Sequence, residues 1–166
     1  MLEVRLSAVR VDLASQTPVI FLQEASGERS LPIFIGAAEA TAIAYAMQHM
    51  SVPRPMTHDL LRDVVDALGA TVQHVVVTEI RDATYYAELH LQRAGALIIV
   101  SARPSDAVAL AARTGSPIFV ADDLMDSSGV VLEEDDEEEE EEEASEEIVG
   151  EFLEFLDNVR PEDFSG

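Results

Sequence analysis

Cysteine is absent from this chain of 166 residues. Its absence removes disulfides, zinc ribbons, iron–sulfur clusters and thiol nucleophiles together. Lysine is missing as well, and all ten basic residues are arginine. No stretch approaches the roughly 20 apolar residues of a membrane span. The first residues, MLEVRLSAVRVDL, carry charges at Glu3, Arg5, Arg10 and Asp12, so no signal peptide is expected. A soluble cytoplasmic protein is the expectation. Walker loops, GxGxxG, GxSxG and HExxH are all missing. The arginines are scattered, without the basic stripe and interleaved aromatics of a general nucleic-acid reader.

What is present is a core and a tail. Hydrophobic residues make up 48% of the chain, enough for one folded domain and too few residues for two full-sized ones. The net charge is −23, and it divides unevenly. Residues 1–132 hold 15 acids against 9 arginines, or −6; residues 133–166 hold 18 acids against one arginine, or −17. Glu133–Glu143 is an unbroken acidic run, and such blocks repel themselves out of any packed structure. Beyond it, Ile148, Val149, Phe152, Leu153, Phe155 and Leu156 recur at helical spacing. The expected organisation is a domain over 1–131, an acidic disordered linker over 132–144, and an amphipathic helix and tail over 145–166.

Within the domain, alternation predicts strands over 2–13, 17–23 and 31–35. In the first, Leu2, Val4 and Leu6 share one face before Val9, Val11 and Leu13 take over. That change of parity predicts a β-bulge near Ser7–Ala8. Residues 37–50 are alanine-rich and nearly uncharged, which predicts a buried helix. Pro53 and Pro55 break it. A second helix is expected over 57–68, capped by Thr57 and stopped by Gly69. Strands over 71–80, 84–92 and 96–100 follow, then a helix over 105–113 opened by Pro104. A short strand over 117–120 and a helical turn over 122–125 close the domain. A shift of 67 lays Glu39–Ala44 on Asp106–Ala111, and three strands precede each segment. The reading is α+β: duplicated β-β-β-α units forming a mostly antiparallel sheet with flanking helices.

Two segments resemble each other. Arg54-Pro55-Met56-Thr57-His58-Asp59 and Arg103-Pro104-Ser105-Asp106 each set Arg-Pro before a helix and an acid in its first turn. Arginine offers a planar fork for phosphate or carboxylate. Helix N-termini favour anions. Asp59 or Asp106 could hold a metal or act as a base, and His58 could carry a proton near neutrality. The same residue types are also ordinary helix-start chemistry, with Arg54 pairing Asp59 and Arg103 pairing Asp106. Glu39, the lone acid of an apolar helix, either favours the dipole or adds a third carboxylate. His90 falls on a polar strand face and is expected to be solvated. His74 is expected to pack in the sheet, and His49 to end a helix.

LPIFIGAAEATAIA, RPMTHDLL, the hairpin ending DATYYAELHL, and ARPSDAVALAAR followed by PIFV resemble the bifunctional nuclease (BFN) domain family, in order and spacing. Arginine in place of every lysine suggests a GC-rich genome and so a bacterial, actinobacterial member. The resemblance implies a strongly curved antiparallel sheet, a homodimer, and metal-assisted nuclease activity on DNA or RNA. Under that reading Arg54 and Arg103 hold phosphate. Asp59, Asp106 and Glu39 ligate a magnesium or manganese ion or activate water, and His58 assists proton transfer. The alternative is a non-catalytic dimeric module that binds a small anionic ligand or a protein partner. The acidic tail lies outside the resemblance and is expected to compete with nucleic acid as an intramolecular polyanion.

Overall fold

In the computed structural model, which describes residues 1–131, two three-stranded meanders are stitched together by one short strand. The first meander comprises β1 (Leu2–Asp12), β2 (Thr17–Glu24) and β3 (Ser30–Phe34). Helices α1 (Ala37–Met47) and α2 (Thr57–Ala67) follow. The second comprises β4 (Ala70–Arg81), β5 (Thr84–Arg93) and β6 (Ala96–Ala102), then α3 (Pro104–Thr114). Strand β7 (Ile118–Val120) and α4 (Asp122–Ser128) complete the unit. The sheet order is β3-β2-β1-β7-β4-β5-β6. Each meander is antiparallel within itself. Strand β7 runs antiparallel to β1 and parallel to β4. The fold is therefore α+β, with a mostly antiparallel seven-stranded sheet built on a β-β-β-α order used twice.

Local sequence explains most boundaries. The β1–β2 register shifts between Leu6 and Ala8, where the apolar parity changes. Gly69 stops α2 with a φ of 68°, a left-handed turn that costs glycine no Cβ clash. Thr57 is not the cap of α2. The cap position falls on Met56, and Asp59 accepts from the Met56 amide at 2.9 Å. The acid at the third helical position thus satisfies the cap residue's own amide, the return half of a capping box, with no hydroxyl involved.

The core lies between the sheet and the helix layer. Ile20, Leu22, Leu31, Val75, Val77 and Val120 from the strands meet Ile43, Val108, Leu110 and Met125 from the helices, all fully buried. Helix α3 is the central one, buried from Ala107 to Ala111. Its small side chains let α1 approach closely, so the two matched helices of the duplication pack on each other. Helix α1 is less enclosed than its composition predicts. Ala40, Ala42 and Ile43 are buried, whereas Ala37, Ala38 and Thr41 are exposed. Alanine has too little apolar surface for its exposure to cost much. No helix among the described residues is long and apolar enough to cross a membrane. The expected acidic linker and amphipathic helix lie outside the described residues.

Candidate active site

Three helix starts supply the charged cluster. Arg103 occupies the cap position of α3, and its side chain folds back over the first turn of that helix. Its Nε donates to Asp106 Oδ2 at 2.7 Å and its Nη2 to Asp106 Oδ1 at 3.0 Å. The same Nη2 donates to Glu39 Oε1 at 2.7 Å, reaching the first turn of α1. From the first turn of α2, His58 Nε2 lies 2.9 Å from Asp106 Oδ1. Glu39, His58, Arg103 and Asp106 thus form one network, although 64 residues separate Glu39 from Arg103 and 48 separate His58 from Asp106.

Burial differs sharply among the four. The His58 side chain is 8% exposed, whereas that of Arg103 is 65% exposed. The guanidinium is therefore the part that faces solvent. Burial opposes the charge of Asp106, but the bonds from Arg103 and His58 outweigh it and hold its carboxyl below the usual range. The Glu39 carboxyl is lowered by its own backbone amide and then by Arg103. Two carboxylates in turn push the Arg103 guanidinium upward. An ionised Asp106 can only accept, so the proton of the bond to His58 sits on Nε2. In the neutral imidazole the nitrogen without a proton is then Nδ1.

Asp59 belongs to a second network. Its Oδ1 accepts from Arg113 Nε at 2.6 Å and its Oδ2 from the Met56 amide. Arg113 also donates to the carbonyls of Ala109 and Ala42, at 2.9 and 3.0 Å, and only 5% of its side chain is exposed. Those bonds tie α1, α2 and α3 together. The Arg113 fork, followed by the Met56 amide, holds the Asp59 carboxyl low. Beside this pair is a cleft of about 300 Å³ lined by Tyr45, His49, Met56, Asp59, Arg62 and Arg113.

Of the residues singled out in the sequence, Glu39, His58, Arg103 and Asp106 come together. Asp59 neighbours His58 in the chain but turns its carboxylate to Arg113. Arg54 is exposed in the connection before α2 and bonds nothing among the described residues, Asp59 included. Arg113 reads in the sequence only as a base at a helix end; its signal is its place as the one charge after the apolar run 107–112. His90 also differs from expectation. It stacks on His74 with ring centroids 4.3 Å apart and bonds Glu88 at 3.0 Å, so it is largely enclosed rather than solvated.

The donor set does not fit a resident divalent cation. Glu39 and Asp106 have the Arg103 guanidinium between them, and among the described residues no three His, Asp or Glu side chains stand together as ligands. The positive charge in this cluster comes from arginine.

Residues 20–133 match the family model of the bifunctional nuclease domain. This chain belongs to the bifunctional nuclease domain family. The chain is 44% identical to an uncharacterized protein of Mycobacterium tuberculosis strain H37Rv, over 98% of this chain and 97% of that protein. It is also 30% identical to bifunctional nuclease 2 of Arabidopsis thaliana, over 70% of this chain and 36% of the plant protein. Bifunctional nuclease 1 of Oryza sativa subsp. indica is 25% identical over 72% of this chain and 37% of its own length. The match thus spans little more than a third of either plant protein.

Proposed function

We propose that this bifunctional nuclease domain hydrolyses phosphodiester bonds of DNA or RNA at the Glu39–His58–Arg103–Asp106 cluster. The names of the plant relatives support the reaction class. The observation that carries it to this site is the buried His58 held by an ionised carboxylate beside an exposed guanidinium.

In this reading Arg103 receives the substrate. Its Nε and Nη2 are occupied, which leaves Nη1 for a non-bridging phosphate oxygen. Asp106 fixes the tautomer and orientation of His58. His58 Nδ1 takes a proton from the attacking water as its oxygen bonds phosphorus and the P–O bond to the leaving sugar breaks. The negative charge that builds on the phosphate oxygens meets the guanidinium. Glu39 positions Arg103 from the far side. Arg54 holds a flanking phosphate, and Asp59 secures the start of α2, and hence His58, through Arg113. The domain acts as a cytoplasmic homodimer.

The test is incubation of the purified full chain with single-stranded DNA and RNA, compared with His58→Gln and Asp106→Asn. Loss of about 10²-fold or more in each variant is the expected result. Undiminished cleavage by a His58→Ala, Asp106→Ala double variant would assign the reaction elsewhere. One observation favours a second reading, a non-catalytic module for a small anionic ligand or a protein partner. Every carboxylate of the cluster already has an arginine or histidine partner, as a purely structural network would. Cleavage by none of the proteins, with phosphate or nucleotide binding lost in Arg103→Ala, would favour it.

A further inference from the structure

The two edges of the sheet are finished differently. At the β3 edge the chain covers itself: the Ser30 amide donates to the Val130 carbonyl and the Val130 amide returns to Ser30, both at 2.8 Å. Pro32 removes a further donor from that strand. At the opposite edge, β6 pairs with β5 on one side and with nothing on the other among the described residues. Its sequence, ALIIVSA, has no charge and no proline, and its pairing with β5 runs without a bulge. Those are the devices that normally keep an edge from pairing.

Both faces of this strand are bare. Leu97 and Ile99 are 56% and 52% exposed on one face; Ile98 and Val100 are 40% and 41% exposed on the other. The apolar surface continues onto α2. Leu60, Val64 and Leu68 stand at i, i+4, i+8 and are all exposed. Arg93, at the β5 end of the β5–β6 turn, donates to the Leu68 carbonyl at 2.8 Å, which brings the end of that helix to the start of β6.

We propose that β6 is where two copies of this chain join, its free edge pairing antiparallel with β6 of the second copy about a two-fold axis. This rests on the homodimer reading and names its surface. The occupant has to be a strand, because a helix laid on one face would leave the other face and the backbone edge uncovered. It has to be apolar on both faces and uncharged, since β6 offers it no charge to pair. Strand β6 itself meets both demands, and a two-fold pairing sets like against like at no electrostatic cost. The chain's own remaining apolar segment, Ile148–Leu156, meets neither. Its spacing is helical, it carries Glu151 and Glu154, and it belongs to a tail of net −17. The chain also leaves the domain at Val130, on the β3 edge.

The absence of cysteine makes the test direct. Single variants Leu97→Cys, Ile98→Cys, Ile99→Cys and Val100→Cys are made in the full chain and oxidised, with Leu13→Cys as an exposed control on another turn. In a two-fold antiparallel pair only positions beside the axis bring a residue within disulfide reach of its own copy. Cross-linking concentrated at one or two adjacent β6 positions is expected, with none at Leu13→Cys. Light scattering of the unmodified chain is expected to give twice 18.1 kDa. Ile99→Lys, at an exposed position that the fold tolerates, should weaken association by about a hundredfold or more while its circular dichroism is unchanged. A dimer mass with no β6 cross-link and no effect of Ile99→Lys would overturn the β6 interface and leave the dimer standing. A monomer mass at micromolar concentration would overturn both. A monomer whose outward-facing β6 amides, those not bonded to β5, are protected from exchange would assign the strand to a segment of its own chain.

Discussion

Glu39 and Asp106 hold equivalent places in the two halves of the duplicated chain, and both close on the one guanidinium of Arg103. The residue matching Arg103 in the first half is Gly36. A Cβ built there would collide with Glu39 Oε2. The missing side chain of one repeat thus makes room for the carboxylate that meets the arginine of the other.

Gly36→Ala tests that relationship. The φ at Gly36 is −76°, open to any residue, so the backbone tolerates alanine. The Glu39 carboxylate must move, and a flexible side chain moves cheaply. The expected outcome is a melting temperature close to that of the parent and a nuclease rate reduced as far as in Glu39→Gln. Parent-like rates in both variants would remove Glu39 from the functional network.

Arg103→Ala should lower the rate by about 10²-fold, the scale seen when a donor to developing charge is removed. Arg103→Lys should not restore it, since an ammonium cannot bridge two carboxylates as the fork does. With 65% of the side chain exposed, neither change should cost the fold much. Rates fitted against substrate concentration check this prediction.

Asp59→Ala should act on stability first. It strands the buried Arg113 guanidinium, whose remaining bonds go to neutral carbonyls. Loss of a partner from a buried ion pair costs about 3–5 kcal/mol, and denaturant unfolding measures it. The rate per folded molecule should fall much less than in Asp106→Asn. Full stability with lost activity would instead return Asp59 to the chemistry.

Arginine at the centre of the cluster predicts cleavage that persists in EDTA. If activity vanished in EDTA and magnesium or manganese restored it, Glu39 and Asp106 would become ligands of a cation that displaces Arg103.

Acid should destabilise the domain in two stages. Burial, and then the neighbouring His90, hold His74 below its ordinary value. Between the folded and unfolded values of that imidazole the unfolded chain binds more protons, so stability falls as pH drops below about 6.5. Glu39, Asp59 and Asp106 are all lowered in the fold. Their contribution is whole above the unfolded carboxylate range and is lost as pH falls through their folded values. Melting temperatures across pH should show both stages, and His74→Phe should abolish the first.

The strands were legible because alternation of apolar residues is a local signal, and the bulge in β1 because parity changes within one run. The position of β7 was not. Three residues carry too little pattern, and their place between β1 and β4 follows from pairings more than a hundred residues apart in one case. Within the site, the lone acid of an apolar helix exposed Glu39, and the Arg-Pro motifs exposed His58, Arg103 and Asp106. Arg113 escaped because its carboxylate partner, Asp59, lies on another helix and 54 residues away. His90 misled because a strand's alternation says which side a residue faces, not whether another ring covers it there.

Strand β7 also has a consequence for how the protein is made. Among the described residues, nothing but residues 118–120 joins one meander to the other within the sheet. On the ribosome, Leu2–Val4 must therefore wait, unpaired on one side, until almost the whole domain has been synthesised and has cleared the exit tunnel. The two halves are able to form as separate meanders while translation proceeds, but the sheet that unites them is sealed by β7, the last of the described strands to emerge.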